Sequence, residues 1–143
     1  MSLRMILSSK DSQNYFSNTP NSFTVQLNRQ IQFDGYWVVA LTEFNLSDNI
    51  QKSNKGAEIF ICCDICQETF VGGKELPLLR RIILDGEKES TNIIFTSPYY
   101  IPVKTSQLQQ IQIYIKDRSG NLVSFQQEQV SLTLHFKKFP YIL

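Results

Sequence analysis

Histidine is almost missing from this chain: one in 143 residues, His135, set between Leu134 and Phe136. Nucleophilic and general acid–base sites usually need a base held against the reacting group. The single imidazole falls on the polar face of an alternating stretch, where a solvated or hydrogen-bonded strand histidine is expected. Cysteine is scarce and clustered: Cys62, Cys63 and Cys66. An odd, clustered set does not make a disulfide framework. The C-x-x-C spacing of Cys63 and Cys66 offers half a zinc site, but there is no second cysteine pair and only one histidine to complete four ligands. Buried free thiols are the expectation. A phosphate-binding loop, a dinucleotide fingerprint and a metal motif are all absent, and Val71-Gly72-Gly73 reads as a turn. Of the carboxylates, Asp64 stands alone, while Asp85, Glu87 and Glu89 sit in a solvated turn cluster. No enzyme activity, no cofactor and no metal are expected.

One-sided charge is also lacking. Fourteen basic and thirteen acidic side chains leave a net charge of +1. The densest basic pairs are Arg80-Arg81 and Lys137-Lys138, which fall short of the stripe that a nucleic-acid binder carries. No specific nucleic-acid partner is expected. No apolar run approaches the ~20 residues of a membrane span. The opening "MSLRMILSSKDS" has neither a long enough apolar segment nor a cleavage site for a secretion signal, so a soluble chain made in the cytosol is expected. A length of 143 residues suits one domain, residues 1–143, able to bury roughly 70% of its unfolded surface without staples.

What is present is period two. Phe23, Val25 and Leu27 alternate with Thr24, Gln26 and Asn28. Ile111, Ile113 and Ile115 oppose Gln110, Gln112 and Tyr114. Val130, Leu132, Leu134 and Phe136 oppose Ser131, Thr133, His135 and Lys137. Alternation of this kind predicts half-buried strands. Further strands are expected over residues 3–8, 36–45, 57–65, 79–84, 92–96, 99–104 and 122–126. Turn residues cluster at 17–22, 47–56, 71–77, 84–91, 96–98 and 117–121. No ten-residue segment carries a helical stripe, and "KTSQLQQI" allows one helical turn at most. Eight or nine short strands without crossover helices predict an all-β antiparallel β-sandwich, a single jelly roll.

One stretch breaks the alternation. Tyr36, Trp37, Val38, Val39, Ala40 and Leu41 run without a polar break, and Glu43 follows among apolar residues. A strand apolar on both faces must be covered twice. By parity, Trp37, Val39, Leu41 and Glu43 share one face; Tyr36, Val38, Ala40 and Phe44 share the other. One face suits the core. The second suits a loop or a neighbouring subunit, since homo-oligomer contacts are more apolar than ordinary surface. Tyr36, Trp37, Val38 and Glu43 are therefore candidates for a subunit interface, with Glu43 either solvated or paired with Arg80 or Arg81. The closing segment adds Phe139, Tyr141, Ile142 and Leu143, apolar residues beyond a Pro140 that stops strand pairing. An alternative use of the aromatics is a carbohydrate- or ligand-binding β-sandwich module with Trp37, Tyr99 and Tyr100 as a stacking platform. A small β-sandwich hydrolase is a third reading.

The amino-terminal residues resemble a known family. Asn18, Pro20, Phe23, Val25 and Leu27, then Ile31, Phe33, Gly35, Trp37, Val39, Leu41, Glu43 and Phe44, follow the pattern of the minor capsid, or penton, proteins of Polinton/Maverick elements and adintoviruses. Residues 99–125 and 130–138 resemble that family's closing strands. Val38 departs from the family's frequent Glu, and Asn28 from its frequent Pro. The resemblance implies a structural single jelly-roll protein of the virion capsid, without cofactor. It would form a homopentamer at the fivefold vertices of an icosahedral shell, beside a double jelly-roll major capsid protein. Synthesis in the host cytoplasm and assembly there or in the nucleus go with that reading.

Overall fold

Three stretches of regular apolar–polar alternation become long strands, Ser22–Gln32, Gln107–Lys116 and Gln129–Lys138. The computed structural model describes residues 2–47, 58–84, 90–124 and 129–138. In chain order its strands are β1 (Ser2–Ser8), β2 (Ser22–Gln32), β3 (Trp37–Ser47), β4 (Glu58–Cys63), β5 (Thr69–Val71), β6 (Lys74–Leu76), β7 (Leu78–Ile83), β8 (Ser90–Ile94), β9 (Ile101–Pro102), β10 (Gln107–Lys116) and β11 (Gln129–Lys138). Among the described residues there is no helix.

Eight of these strands build two antiparallel sheets. One runs β1-β11-β3-β8, with the short β9 also pairing with β3; the other runs β2-β10-β4-β7. Through these eight strands the chain crosses between the sheets at every step except from β4 to β7, which is the winding of a jelly roll. The expected all-β sandwich of eight or nine strands is the observed one, with β9 as the ninth. Phe23, Val25, Ile111, Ile113, Ile115, Val130, Leu132 and Leu134 are buried in a core cluster drawn from both sheets, and Leu27 packs half-buried at its margin. Phe33 joins the cluster from the β2–β3 turn, stacked on Phe136 at 5.4 Å.

Local departures from the sequence reading have local causes. Residues 71–77 form a hairpin rather than a turn alone: β5 and β6 pair through Val71↔Lys74. Gly72 and Gly73 take φ of 57° and 87°, the left-handed pair that a two-residue hairpin loop demands. The strand expected over 99–104 shrinks to β9 with a single bridge from Val103 to Cys66, because Pro102 has no N–H to donate to a ladder and only its carbonyl is used, by the Gln67 N–H at 3.0 Å. Leu122 makes a single bridge to Lys116 in place of a strand over 122–126; residues 125 and 126 lie outside the described residues. The helical turn allowed within "KTSQLQQI" gives way to β10, whose Leu108 and Ile111 are buried.

The polar leader ahead of β2 is part of the fold. Ser9 bonds Val130 twice, through N–H to its carbonyl at 2.9 Å and through Oγ from its N–H at 3.1 Å. The Asn18 amide donates to the carbonyls of Asp11 and Thr24 and accepts the Thr24 N–H at 2.9 Å. Ser12 Oγ accepts the N–H of Gln26 at 2.9 Å. Because β2 is the outermost strand of its sheet, these side chains satisfy an edge that would otherwise template another strand.

Candidate functional site

The two-sided apolar strand, β3, is covered on both faces by its own chain. Trp37, Val39 and Leu41 enter the core cluster. So do Phe44 and Leu46, which have the opposite parity. The reason is a β-bulge. Leu41 pairs with Leu134 and Glu43 with Thr133, so Thr42 is an extra residue with no partner in β11. One inserted residue reverses which side chains face inward. This corrects the parity count: Phe44 belongs with Trp37, Val39 and Leu41, while Glu43 belongs with Val38 and Ala40 on the outer face. Thr42 is held there by its own Oγ1–H to the Thr133 carbonyl at 3.2 Å and by the Phe95 N–H to its carbonyl at 3.0 Å.

Val38 and Ala40 are 3% and 0% exposed despite facing outward. Their partners across β11 are Lys137 and His135. Over that row lies Tyr100, whose hydroxyl is 2.8 Å from His135 Nδ1 and whose ring carries the Lys137 ammonium 4.0 Å above its centroid. A loop of the same chain, led by Tyr100, thus forms the second cover. His135 is a hydrogen-bonded strand residue, as expected from its place on the alternating face of β11.

The four candidate interface residues of this region are placed differently from one another. Tyr36 is exposed at the β2–β3 turn. Trp37 is 8% exposed, its indole N–H donated to the Asp34 carbonyl at 3.0 Å and its ring tilted on Phe33 at 5.2 Å. Val38 lies beneath the cover just described. Glu43 is half-buried between Thr133 and Ile94. Neither expected arginine partner meets it. Arg80 donates to the Ser97 carbonyl at 3.1 Å and lies over the Phe95 ring, while Arg81 pairs with Glu58. Phe139, Tyr141, Ile142 and Leu143 lie outside the described residues. The aromatic platform is not formed either, because Trp37 is in the core and Tyr100 is folded onto His135, leaving Tyr99 exposed on its own.

A second outer face hides something the sequence reading missed. Phe60 and Cys62 point away from the core on β4, yet are 1% and 0% exposed. Arg118 reaches over the Phe60 ring and binds Glu58 with Nε and Nη2 at 2.7 and 3.0 Å. The β5–β6 turn approaches the same guanidinium, with Arg118 Nη1 3.8 Å from where a Cβ on Gly72 would sit. Residues 59–63, Ile-Phe-Ile-Cys-Cys, run apolar without a break, so the sequence carries no signal of which of them face outward. The hydrogen bonds from Arg118, then Arg81, hold the Glu58 carboxyl down at about 2 from an ordinary 4.5. A depressed carboxylate stabilises the fold above its unfolded pKa, and that contribution disappears as pH falls through the folded one. The Glu58 carboxyl signal should therefore titrate near pH 2 by NMR, and Arg118→Gln should move it toward 4.5. An unshifted midpoint near 4.5 in the parent protein would rule out the double clamp.

Cys62, Cys63 and Cys66 are all buried free thiols. Burial pushes Cys62 up to about 12 and Cys63 well above the ordinary thiol value. Among the described residues no group of three His, Cys, Asp or Glu side chains is placed to hold a metal ion. At pH 8 a thiol at 12 has about a thousandfold less thiolate than one at 9. Alkylation by iodoacetamide should accordingly be slow in the native protein and fast in denaturant. Rapid native labelling of Cys62 would contradict its burial.

No protein-family model matches the chain, and no curated protein matches it by sequence. Among solved structures it is similar to the mavirus penton protein, with a TM-score of 0.62 over 97% of this chain and 100% of that one, at 7% identity. A likeness to the VP2 subviral particle of infectious bursal disease virus, with a TM-score of 0.30, 9% identity and coverage of 94% of this chain and 32% of that one, is too slight to carry an argument. What the chain shares with the viral penton protein is its fold, over the length of both.

Proposed function

We propose that this chain is a penton subunit: a non-enzymatic structural protein that occupies the fivefold vertices of an icosahedral virus-like shell as a homopentamer. The observation that carries the reading is the likeness to a viral penton protein over 97% of this chain and 100% of that one. The sequence resemblance to Polinton/Maverick and adintovirus minor capsid proteins points the same way. Residues 1–143 act as one jelly-roll domain, and the shell partner is a double jelly-roll major capsid protein. In that setting the protein resides in the virion capsid after synthesis in the host cytoplasm.

Of the candidate contact residues, Tyr36 and Glu43 retain surface to offer a neighbour. The apolar segment Phe139, Tyr141, Ile142 and Leu143 is proposed as an arm onto the adjacent subunit. Sedimentation equilibrium and native mass spectrometry test the reading, with the chain alone and co-expressed with a double jelly-roll shell protein. A fivefold mass is expected in at least one of the two conditions. A monomer in both, excluded from assembled shells, would overturn it.

A further inference from the structure

The two sheet edges at opposite ends of the β2-β10-β4-β7 sheet are treated differently. At β2 the leader's Asn18 and Ser12 occupy backbone groups of Thr24 and Gln26. At the other end β7 pairs with β4 alone, and no backbone hydrogen bond among the described residues ties Leu78–Ile83 to anything else. β7 contains no Pro, and past its bulge at Leu79 the residues Arg80–Ile83 run in regular register with β4. Beside it runs an open groove of about 450 Å³, walled by Leu78, Pro98, Tyr99 and Ile101 and lined by Arg80 and Arg81.

The groove is cationic. No acidic side chain is among its described lining residues. Among the described residues, Arg80's partners are neutral, the Ser97 carbonyl and the Phe95 ring. Arg81 shares the single carboxylate of Glu58 with Arg118, so two positive charges face one negative. A free strand edge offers alternating N–H and C=O groups to another backbone. Guanidinium groups offer paired N–H donors to a carboxylate. Tyr99, 64% exposed, offers an apolar ring at the rim.

We propose that this groove is a peptide-binding site, and that its occupant is an extended segment of another protein chain carrying a carboxylate next to an apolar side chain. The segment adds to β7 as a further antiparallel or parallel strand, places its carboxylate on Arg80, which shares the inner face of the sheet with Ile61, and rests its apolar side chain against Tyr99 and Pro98. A phosphodiester strand would use the arginines but leave the strand edge unpaired, and the chain has no basic stripe to lead one there. The site goes beyond the vertex reading and does not depend on how many copies assemble.

A random heptapeptide display library panned against the full chain tests this. Enriched sequences are expected to carry Asp or Glu beside an aromatic or aliphatic residue. Bound peptide should shift the backbone amide signals of residues 78–83 and 97–101. The R80Q variant should bind about tenfold or more weakly, the loss expected for removing a charged hydrogen-bonding partner. Replacing the peptide's carboxylate by the amide should give the same loss without altering the protein, which keeps the test intact if the variant does not fold. No enrichment, enrichment without acidic residues, or shifts confined to other surfaces would overturn the proposal. Equal competition by a decathymidylate oligonucleotide would reassign the groove to nucleic acid and overturn it as well.

Discussion

Deleting Thr42 should abolish cooperative folding. The residue contributes little packing of its own, but it is the one that lets β3 change parity between Leu41 and Phe44. Without it, one half of the strand must turn over. If residues 43–47 turn over, Phe44 and Leu46, both 0% exposed, leave the core, and Glu43 and Asn45 enter it. Losing the burial of two such side chains costs roughly 1.5–3 kcal/mol each, and an unpaired carboxylate in the core costs several more. If residues 37–41 turn over instead, Trp37, Val39 and Leu41 are lost together. Either outcome rivals the roughly 5–15 kcal/mol by which domains are stable at all. Thr42→Ala keeps the inserted residue and loses one side-chain hydrogen bond, so it should cost only about 1 kcal/mol. Thermal melting followed by circular dichroism compares the two. A deletion variant that melts within a few degrees of the parent would mean that the bulge migrates freely and that parity in β3 is not specified by Thr42.

The same bulge explains where the sequence was legible and where it was not. Alternation in β2, β10 and β11 reads directly because each of those strands presents one face to the core and one to water or polar neighbours. Period two then reports burial on its own. In β3 both faces are buried, so hydrophobicity carries no parity, and a single inserted Thr among β-branched and apolar neighbours leaves no composition mark. Phe60 and Cys62 on β4 failed to announce their outer position for the same reason: Phe60 is covered by Arg118, 58 residues beyond it in the sequence, and Cys62 lies beside Tyr114 of β10. The leader was legible as polar and turn-rich. Its use was not, because Asn18 and Ser12 act on Thr24 and Gln26 through hydrogen bonds that depend on β2 being an edge. Of the candidate interface residues, Tyr36 sits where strand logic places it, at a turn. Trp37 and Val38 are claimed by the fold before any neighbour can reach them, and only the folded chain reveals that Tyr100 closes over that row.

Phe136→Ala should be the most costly single truncation at the end of the core that Tyr36 borders. Phe136 is 0% exposed and lies in β11 between the partners Leu3 in β1 and Val39 in β3. Its ring stacks on Phe33 with an interplanar angle of 19°, and Phe33 in turn meets Trp37 at 5.2 Å. Removing the ring opens a cavity bounded by strands that pair along their full length and cannot collapse inward without breaking ladder bonds. The expected loss lies near the upper part of the ~3–5 kcal/mol range for such truncations. Phe33→Ala, made at a turn residue that can shift more readily, should cost less. The double variant should fall short of the sum by roughly 0.5–1.5 kcal/mol, the coupling of a stacked pair. Equilibrium unfolding in urea measures all three, provided each transition stays two-state. The solution mass of Phe136→Ala adds a functional reading. Tyr36 stands three residues beyond Phe33 on the turn that Phe33 anchors, so loosening that anchor should weaken self-association more than an equally destabilising truncation placed at the opposite end of β3, such as Leu46→Ala. Equal losses of association at equal losses of stability would show that the β2–β3 turn does not contribute to the contact between subunits.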